Sequence, residues 1–300
     1  MNVGIFADGG PDIGAGHQVR TRALAEALLA AGHQVRMCCR DIPGSTHAWA
    51  WADLPQLVLS AELSPRAALA CCPGEVLVVD HYGISGADLP AGKSAIVIDD
   101  VPGRDLTQAT VVLNQNLGVA ADAYGARGRV GPAYALLRAP FREQRWQASV
   151  SGPVLVMLGG TDHLHLSASI VDHLVAAGLP VLAISREVVP RPGVTVLGAA
   201  TAAQLAQALA TCRAAVFGAG SAVWEALCVG APLVAIHTVD NQAAIVAGLR
   251  AQGIATVLDP ATIIEVAAAV RAARPPAAGV VDGQGAARMV QLMESLPCRA

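Results

Sequence analysis

Charged side chains are scarce in this chain of 300 residues: Asp, Glu, Lys and Arg make up 14% of it, against about 25% in an average soluble protein. Its surface must be finished largely with Ala, Gly, Ser, Thr and Gln. Aromatic residues are scarce as well, with three Phe, three Tyr and four Trp, which argues against a base-stacking surface for single-stranded nucleic acid. Lys93 is the sole lysine. The net charge of −3 is spread evenly, with 12 basic and 14 acidic residues up to Val150 and 8 against 9 after it. Neither half carries a basic footprint for nucleic acid or for stable membrane association. No uninterrupted apolar run reaches the roughly 18 residues of a spanning helix, and Met1 to Gly10 lacks the basic and apolar regions of a signal peptide. The seven cysteines include two adjacent pairs but no Cys-x-x-Cys. An odd set of this kind is expected to be reduced and packed, in a cytoplasmic protein.

What the chain does have is apolar bulk, with 54% hydrophobic residues, and length enough for two domains at roughly 150 residues each. One residue in five is alanine. In the first half, β-branched runs at Val3–Ala7, Gln34–Cys39, Glu75–Asp80, Ala95–Asp99 and Thr110–Asn114 read as strands, with a helix at His17–Ala31. The second half repeats the scheme with strands at Pro153–Leu158, Pro180–Ser185, Ala214–Gly218, Leu233–His237 and Ile254–Leu258. Helices are expected there from Leu164, Thr201, Ser221, Asn241 and Pro260, and a last helix ends near Leu296. Continuous apolar strands alternating with helices predict parallel sheets covered on both faces. The expected fold class is α/β, two Rossmann-like parallel-sheet domains facing a cleft. The boundaries read as an N-terminal domain over residues 1–139, a linker over 140–152 and a C-terminal domain with the terminal helix over 153–300.

Ligands of open parallel sheets bind at the carboxyl ends of strands, so the loops there are the candidates. The first runs from Asp8 to Arg20 and contains Gly9, Gly10, Gly14 and Gly16. His17 opens the following helix, where the positive end of the macrodipole is expected to lower its pKa and keep it a neutral general base. A helix cap and a plain turn explain the same residues equally well. Asp80-His81-Tyr82-Gly83, Asp99-Asp100 and Asn114-Gln115-Asn116 end three more strands and could read a sugar by hydrogen bonds, or simply bend the chain. Strand alternation points Asp99 and Asp100 in opposite directions. In the second half, free N–H groups at Gly220 to Val223 and the Ser221 hydroxyl could cradle a phosphate or diphosphate, and Glu225 could accept hydrogen bonds from ribose. An ordinary helix start is the rival reading. Gly159-Gly160-Thr161-Asp162 follows another strand, and Thr238-Val239-Asp240-Asn241-Gln242 offers carboxylate and amide groups, Asp240 alone reading as an N-cap. His163 and His165 with Asp162 lack a third metal ligand of clear spacing, so no metal site is expected.

Taken in order, several segments resemble the hydrolase family of the pseudaminic acid pathway, PseG. They are Asp8–Gly10 with Gly14–Arg20, Val79–Gly83, Ile98–Asp100, Asn114–Gly118, Gly131–Arg138, Gly159–Asp162, Gly220-Ser221 with Trp224-Glu225, and Asp240–Gln242. That family is built on the GT-B glycosyltransferase fold and is similar to MurG; the match spans residues 2 to about 258. The resemblance implies metal-independent, inverting hydrolysis of a UDP-linked diacetamido-trideoxy sugar without a cofactor, His17 being the base. It implies sugar binding by Asp8, Gly14, Gly16, Arg20, Asp80, Tyr82, Asp100, Asn116, Asn241 and Gln242, and nucleotide binding by Gly160, Thr161, Gly220, Ser221, Glu225 and Asp240. The chain departs from the family at Phe6, usually Arg, at Ala222, often Ser or Thr, and at His163, usually Pro. These departures point to a changed sugar or weaker nucleotide contacts. The alternatives are a GT-B glycosyltransferase using a UDP-amino sugar donor, and a nucleotide-sugar binding protein without catalysis. No sequence feature sets an oligomeric state.

Overall fold

Val3, Ile5 and Phe6 lie buried in strand β1 (Asn2–Phe6), from which the chain passes through α1 (Gly16–Ala30), β2 (Gln34–Arg40), α2 (His47–Ala50), β3 (Gln56–Leu59) and α3 (Pro65–Ala70). It continues through β4 (Val76–Val79), β5 (Ser94–Ile98), β6 (Val111–Asn114) and β7 (Gly128–Val130). The computed structural model describes residues 1–148, 151–159, 162 and 164–296, with Asn241 described by its backbone alone. Among them these strands form one parallel sheet in the order β3-β2-β1-β4-β5-β6-β7. Every residue of β4, β5 and β6 is buried, as a sheet with both faces covered requires.

The second set of elements is α4 (Ala139–Glu143), β8 (Val154–Met157), α5 (Ser167–Ala176), β9 (Val181–Ile184), β10 (Val194–Leu197), α6 (Ala202–Thr211) and β11 (Ala214–Gly218). Then come α7 (Ala222–Val229), β12 (Leu233–Ile236), α8 (Ala243–Ala251), β13 (Thr256–Leu258), α9 (Val266–Ala272) and finally α10 (Gly285–Glu294). Strands β8 to β13 form a second parallel sheet in the order β10-β9-β8-β11-β12-β13. Both sheets reverse direction of growth beside their first strand, between β1 and β4 and between β8 and β11. Such a switch point is where the loops leaving the two strands part to opposite faces and leave a crevice.

The chain divides into two compact units, and the division differs from the expected boundaries in two respects. Helix α10 belongs to the first unit, residues 1–138 with the segment from Gln284, and not to the C-terminal one. Its apolar stripe Ala286, Met289, Val290 and Met293 is buried in the same core as Leu24, Ala25 and Leu28 of α1, so side-chain spacing on one face decides where it docks. Residues 140–152, expected as a linker, begin inside the second unit, which runs from Ala139 to Gly283. Phe141 of α4 is fully buried, and Trp146 donates its backbone N–H to Val229 at 2.8 Å and its indole N–H to Cys212 at 2.8 Å. Two of the ten aromatic side chains thus tie this stretch down.

Strands β3, β7 and β10 have no counterpart in the sequence expectations. Each is three or four residues long and lies at a sheet edge.

Candidate functional site

In the first unit the polar ends of five neighbouring strands meet the start of α1. Helix α1 buries His17, Gln18, Arg20 and Thr21 in its first half and Ala23, Leu24, Ala25 and Leu28 in its second. One end of the helix therefore belongs to the core, and the other to a polar network. Val19 and Ala27 of the same helix are half-buried, and Ala31 is exposed beyond the last turn. The loop before α1 is tightened by a bridge between Gly10 and Gly14, each donating its N–H to the other's carbonyl at 3.2 and 2.7 Å. Gly14 adopts φ +79°, a left-handed backbone that favours glycine.

Asp80, directly after β4, is the centre of the network. His17 Nδ1 lies 2.9 Å from Asp80 Oδ1 and 3.0 Å from the Asp80 carbonyl oxygen. Both neighbours are acceptors, so Nδ1 carries the proton and the neutral ring keeps its lone pair on Nε2. Among the described residues Nε2 has no hydrogen-bond partner. Arg20 donates Nε and Nη2 to the two oxygens of Asp80 at 2.6 and 2.7 Å, and Nη1 and Nη2 to those of Asp100 at 2.8 Å each. A planar guanidinium suits this double fork as a lysine could not. Tyr82 donates its hydroxyl to Asp100 Oδ2 at 2.6 Å and sets its ring edge-on to His17, 4.7 Å between centroids. Asn116 donates its amide to the Asp100 carbonyl oxygen at 3.0 Å.

The electrostatics differ from the sequence expectation for His17. Burial opposes the charged imidazolium, but the charge and hydrogen bond of Asp80 outweigh it and raise the pKa above its ordinary value of 6.5. The helix N-terminus, which would lower it, acts through partial charges; a full carboxylate at 2.9 Å is stronger. The reading of His17 as a helix cap is also excluded, since Ala15 holds the N-cap and the imidazole is bound to Asp80. Burial works against ionisation of Asp80 as well, yet Arg20 and His17 hold its carboxyl well below the usual range. Asp100 is lowered against its own burial, chiefly by Arg20.

Two further clusters brace this one. Asp8 accepts the Arg40 backbone N–H at 2.8 Å and the Arg40 side chain at 2.8 and 2.7 Å, and lies 3.2 Å from His81 Nε2. Gly83 donates its N–H to His81 Nδ1 at 2.9 Å, so the His81 proton sits on Nε2, facing Asp8. Asp99 points away from Asp100, as alternation expects: it accepts Arg104 at 3.0 and 2.7 Å and the Tyr124 hydroxyl at 2.7 Å. Asn114 donates to Tyr124 at 2.9 Å and accepts the Asn116 N–H at 3.0 Å, closing a path back to Asp100. Arg40, Arg104 and Tyr124 escaped the sequence reading. No local pattern announces them, because their partners lie far along the chain, apart from the Arg104 contact with Asp99.

In the second unit the loop after β11 turns sharply into α7. Gly220 donates its N–H to Gly218 at 2.8 Å and Val223 to Gly220 at 3.1 Å, so two of the four N–H groups expected to be free are used inside the turn. Those of Ser221 and Ala222 make no backbone hydrogen bond among the described residues, and the Ser221 hydroxyl does not cap the helix. Glu225 is buried one turn further on. Asp240 is exposed in a 3-10 turn whose N-cap is Val239, which corrects its reading as an N-cap. Gln242 is turned inward, accepting the Thr238 N–H at 2.8 Å and pinning that loop. Asn241 lies in the same turn. Asp162 accepts the N–H groups of Leu166 and Ser167 at 3.1 and 2.7 Å and so anchors the start of α5. Gly160, Thr161 and His163 lie outside the described residues. Among the described residues no three His, Cys, Asp or Glu side chains gather as metal ligands, no helix is long and apolar enough to cross a membrane, and six cysteines are free thiols.

No family profile matches the chain. It is 23% identical over 286 residues to the spore coat polysaccharide biosynthesis protein SpsG of Bacillus subtilis strain 168, covering 85% of this chain and 83% of that protein. Among solved structures it is similar to the glycotransferase of kitacinnamycin, with a TM-score of 0.68 and 18% identity over 98% of each chain. It is also similar to Acinetobacter baumannii MurG, with a TM-score of 0.63 and 16% identity over 98% of this chain and 99% of that one. The Streptomyces sp. SF2575 glycosyltransferase SsfS6, complexed with thymidine diphosphate, gives 0.61 and 15% over 99% and 96%. These likenesses show the fold: the two parallel α/β domains are those of GT-B glycosyltransferases.

Proposed function

We propose that this protein breaks the anomeric C–O bond of a sugar activated by a nucleoside diphosphate, with His17 as the base for the attacking hydroxyl. One observation carries the reading: an imidazole held through Nδ1 by a buried carboxylate, with Nε2 unpartnered, at the switch point of a parallel sheet. The attacking O–H gives its proton to Nε2 while its oxygen bonds to the anomeric carbon. The electrons of the breaking C–O bond depart with the diphosphate, and the configuration inverts. A nucleoside diphosphate leaves readily, so the base matters more than a strong general acid.

Asp8, Gly14, Gly16, Asp80, Tyr82, Asp100 and Asn116 would frame the sugar. Arg20, with four hydrogen bonds already committed to carboxylates, would act by holding Asp80 and Asp100. In the second unit, the Ser221 hydroxyl and the N–H groups of Ser221 and Ala222 would receive the diphosphate beside Gly220, at the positive end of α7. Glu225 would take the ribose, with Gly160, Thr161 and Asp240 as further nucleotide contacts and Asn241 and Gln242 bordering the sugar or phosphate.

Transfer to an acceptor hydroxyl is the reading that the likeness to glycosyltransferases supports. A second reading, hydrolysis of a UDP-linked diacetamido-trideoxy sugar, is favoured by a specific observation. The segments that resemble the hydrolase family supply His17, Arg20, Asp80, Tyr82, Asp100 and Asn116, and these side chains form one contiguous network. The test is nucleotide release from a panel of UDP- and TDP-sugars, with and without carbohydrate acceptors. Release without acceptor, abolished in His17→Ala while nucleotide binding persists, supports hydrolysis. Release that needs an acceptor supports transfer, and nucleotide binding without release under any condition overturns both.

A further inference from the structure

We propose that Arg104 is a positioning residue for the His17 site, acting through the turn that carries His81 and Tyr82. The proposal rests on the functional reading above for its kinetic consequence but not for its structural one. Arg104 is assigned no substrate contact of its own and reaches the site through Tyr82, whose backbone carbonyl and ring it meets. Its Nη1 converges on three backbone carbonyls of one turn, His81 at 3.0 Å, Tyr82 at 3.1 Å and Ile84 at 2.9 Å. Its Nε and Nη2 grip the buried carboxylate of Asp99, which the Tyr124 hydroxyl holds from another side. Carbonyl oxygens turned toward one point repel each other, and a cation between them removes that repulsion. The guanidinium thus ties the shape of the turn to the end of β5.

The turn delivers two side chains to two carboxylates. His81 faces Asp8 at 3.2 Å, and Tyr82 reaches Asp100 at 2.6 Å with its ring against His17. Tyr82 is 42% exposed, so packing alone does not hold it. What holds it is its hydroxyl bond, the edge contact with His17, the Arg104 guanidinium 5.8 Å from the ring centroid, and the carbonyl bond to the same arginine. Releasing the turn frees Tyr82 to swing, and His17 then loses the ring that fixes its orientation while keeping Asp80. A displacement of about 1 Å in a catalytic group can cost on the order of a hundredfold in rate.

The chain has three tyrosines, so labelling with 3-fluorotyrosine gives three fluorine resonances, and Tyr82→Phe assigns one of them. In Arg104→Gln the Tyr82 resonance is expected to move toward the position of free fluorotyrosine while that of Tyr134 stays. In the same variant kcat is expected to fall about 10- to 100-fold with KM changed less than about threefold. Arg104→Lys, which keeps the charge but not the fork, is expected to lie between the two. A Tyr82 resonance unchanged in both folded variants overturns the proposal, whether or not turnover is found. So does a displaced Tyr82 resonance in an active enzyme whose kcat is unaltered. A purely structural arginine would lower the melting temperature and leave the resonance and kcat of the folded protein alone. If the wild-type chain shows no turnover on any donor, the functional reading fails and the resonance alone decides the role of Arg104.

Discussion

At His17 two influences compete on one imidazole, burial disfavouring its charge and Asp80 favouring it, and the carboxylate wins. A raised pKa means that the base form appears only as pH climbs past a midpoint above 6.5, so turnover is expected to rise through that midpoint. Asp80→Asn removes the raising influence and leaves burial; the rising limb should shift to lower pH, and kcat should drop by about 10²- to 10⁴-fold. A pH–rate profile of both proteins checks the two shifts together. For stability the sign runs the other way: His17 stabilises the fold below the unfolded imidazole's pKa, and that contribution is lost as pH rises through the folded one. Asp80 and Asp100, both lowered, stabilise above the ordinary carboxylate range and lose this as pH falls toward their folded values. Arg20→Met strips both buried carboxylates of their guanidinium, leaving Asp80 with His17 and Asp100 with Tyr82 and Asn116, and the expected cost is about 3–5 kcal/mol, measured by urea unfolding. Adding Asp100→Asn should recover part of that loss, because one of the stranded charges is gone.

Among the elements, α10 depends on a close approach at its first residue. A Cβ on Gly285 would stand 2.2 Å from the Ala135 carbonyl oxygen and 2.5 Å from the Tyr134 carbonyl carbon, and backbone atoms cannot yield cheaply. Gly285→Ala is therefore expected to lift the start of α10 off the first unit and destabilise it by about 1–3 kcal/mol, read as a lower melting temperature. How much of each element was legible follows from its surroundings. Helix α1 and the inner strands announced themselves within a residue or two, because buried runs such as Val76–Val79 are apolar throughout. Strand β3 was not legible, since an edge strand of four partly exposed residues carries neither a clear alternation nor a long apolar run. The site divides the same way. His17, Asp80 and Asp100 stand out at strand ends in a chain with few charges. Arg40 and Arg104 do not, because pairing with Asp8 or with the carbonyls of residues 81–84 is set by the order of strands in the sheet.

For the molecule as a whole, the decisive fact is that the second unit is continuous, from Ala139 to Gly283, while the first is completed by a segment from the far end of the chain. Excised residues 139–283 are expected to unfold cooperatively on their own, since β8–β13 and α4–α9 all lie within them. Residues 1–138 alone would leave the seat of Met289, Val290 and Met293 open beside Leu28, and should show a broadened or absent thermal transition. A peptide of residues 284–296 added in trans should sharpen it, measured by circular dichroism. An unaltered transition without the peptide would show that α10 is dispensable. The split of the first unit also bears on the order of events at the ribosome. The half that contains His17 stays unfinished while all of residues 139–283 are being made, and it is closed only when α10 follows them. A nascent chain cut short between Arg138 and Gly285 would carry His17 but not the helix whose Met289, Val290 and Met293 complete the core of the first unit, so truncation there yields an incomplete first unit.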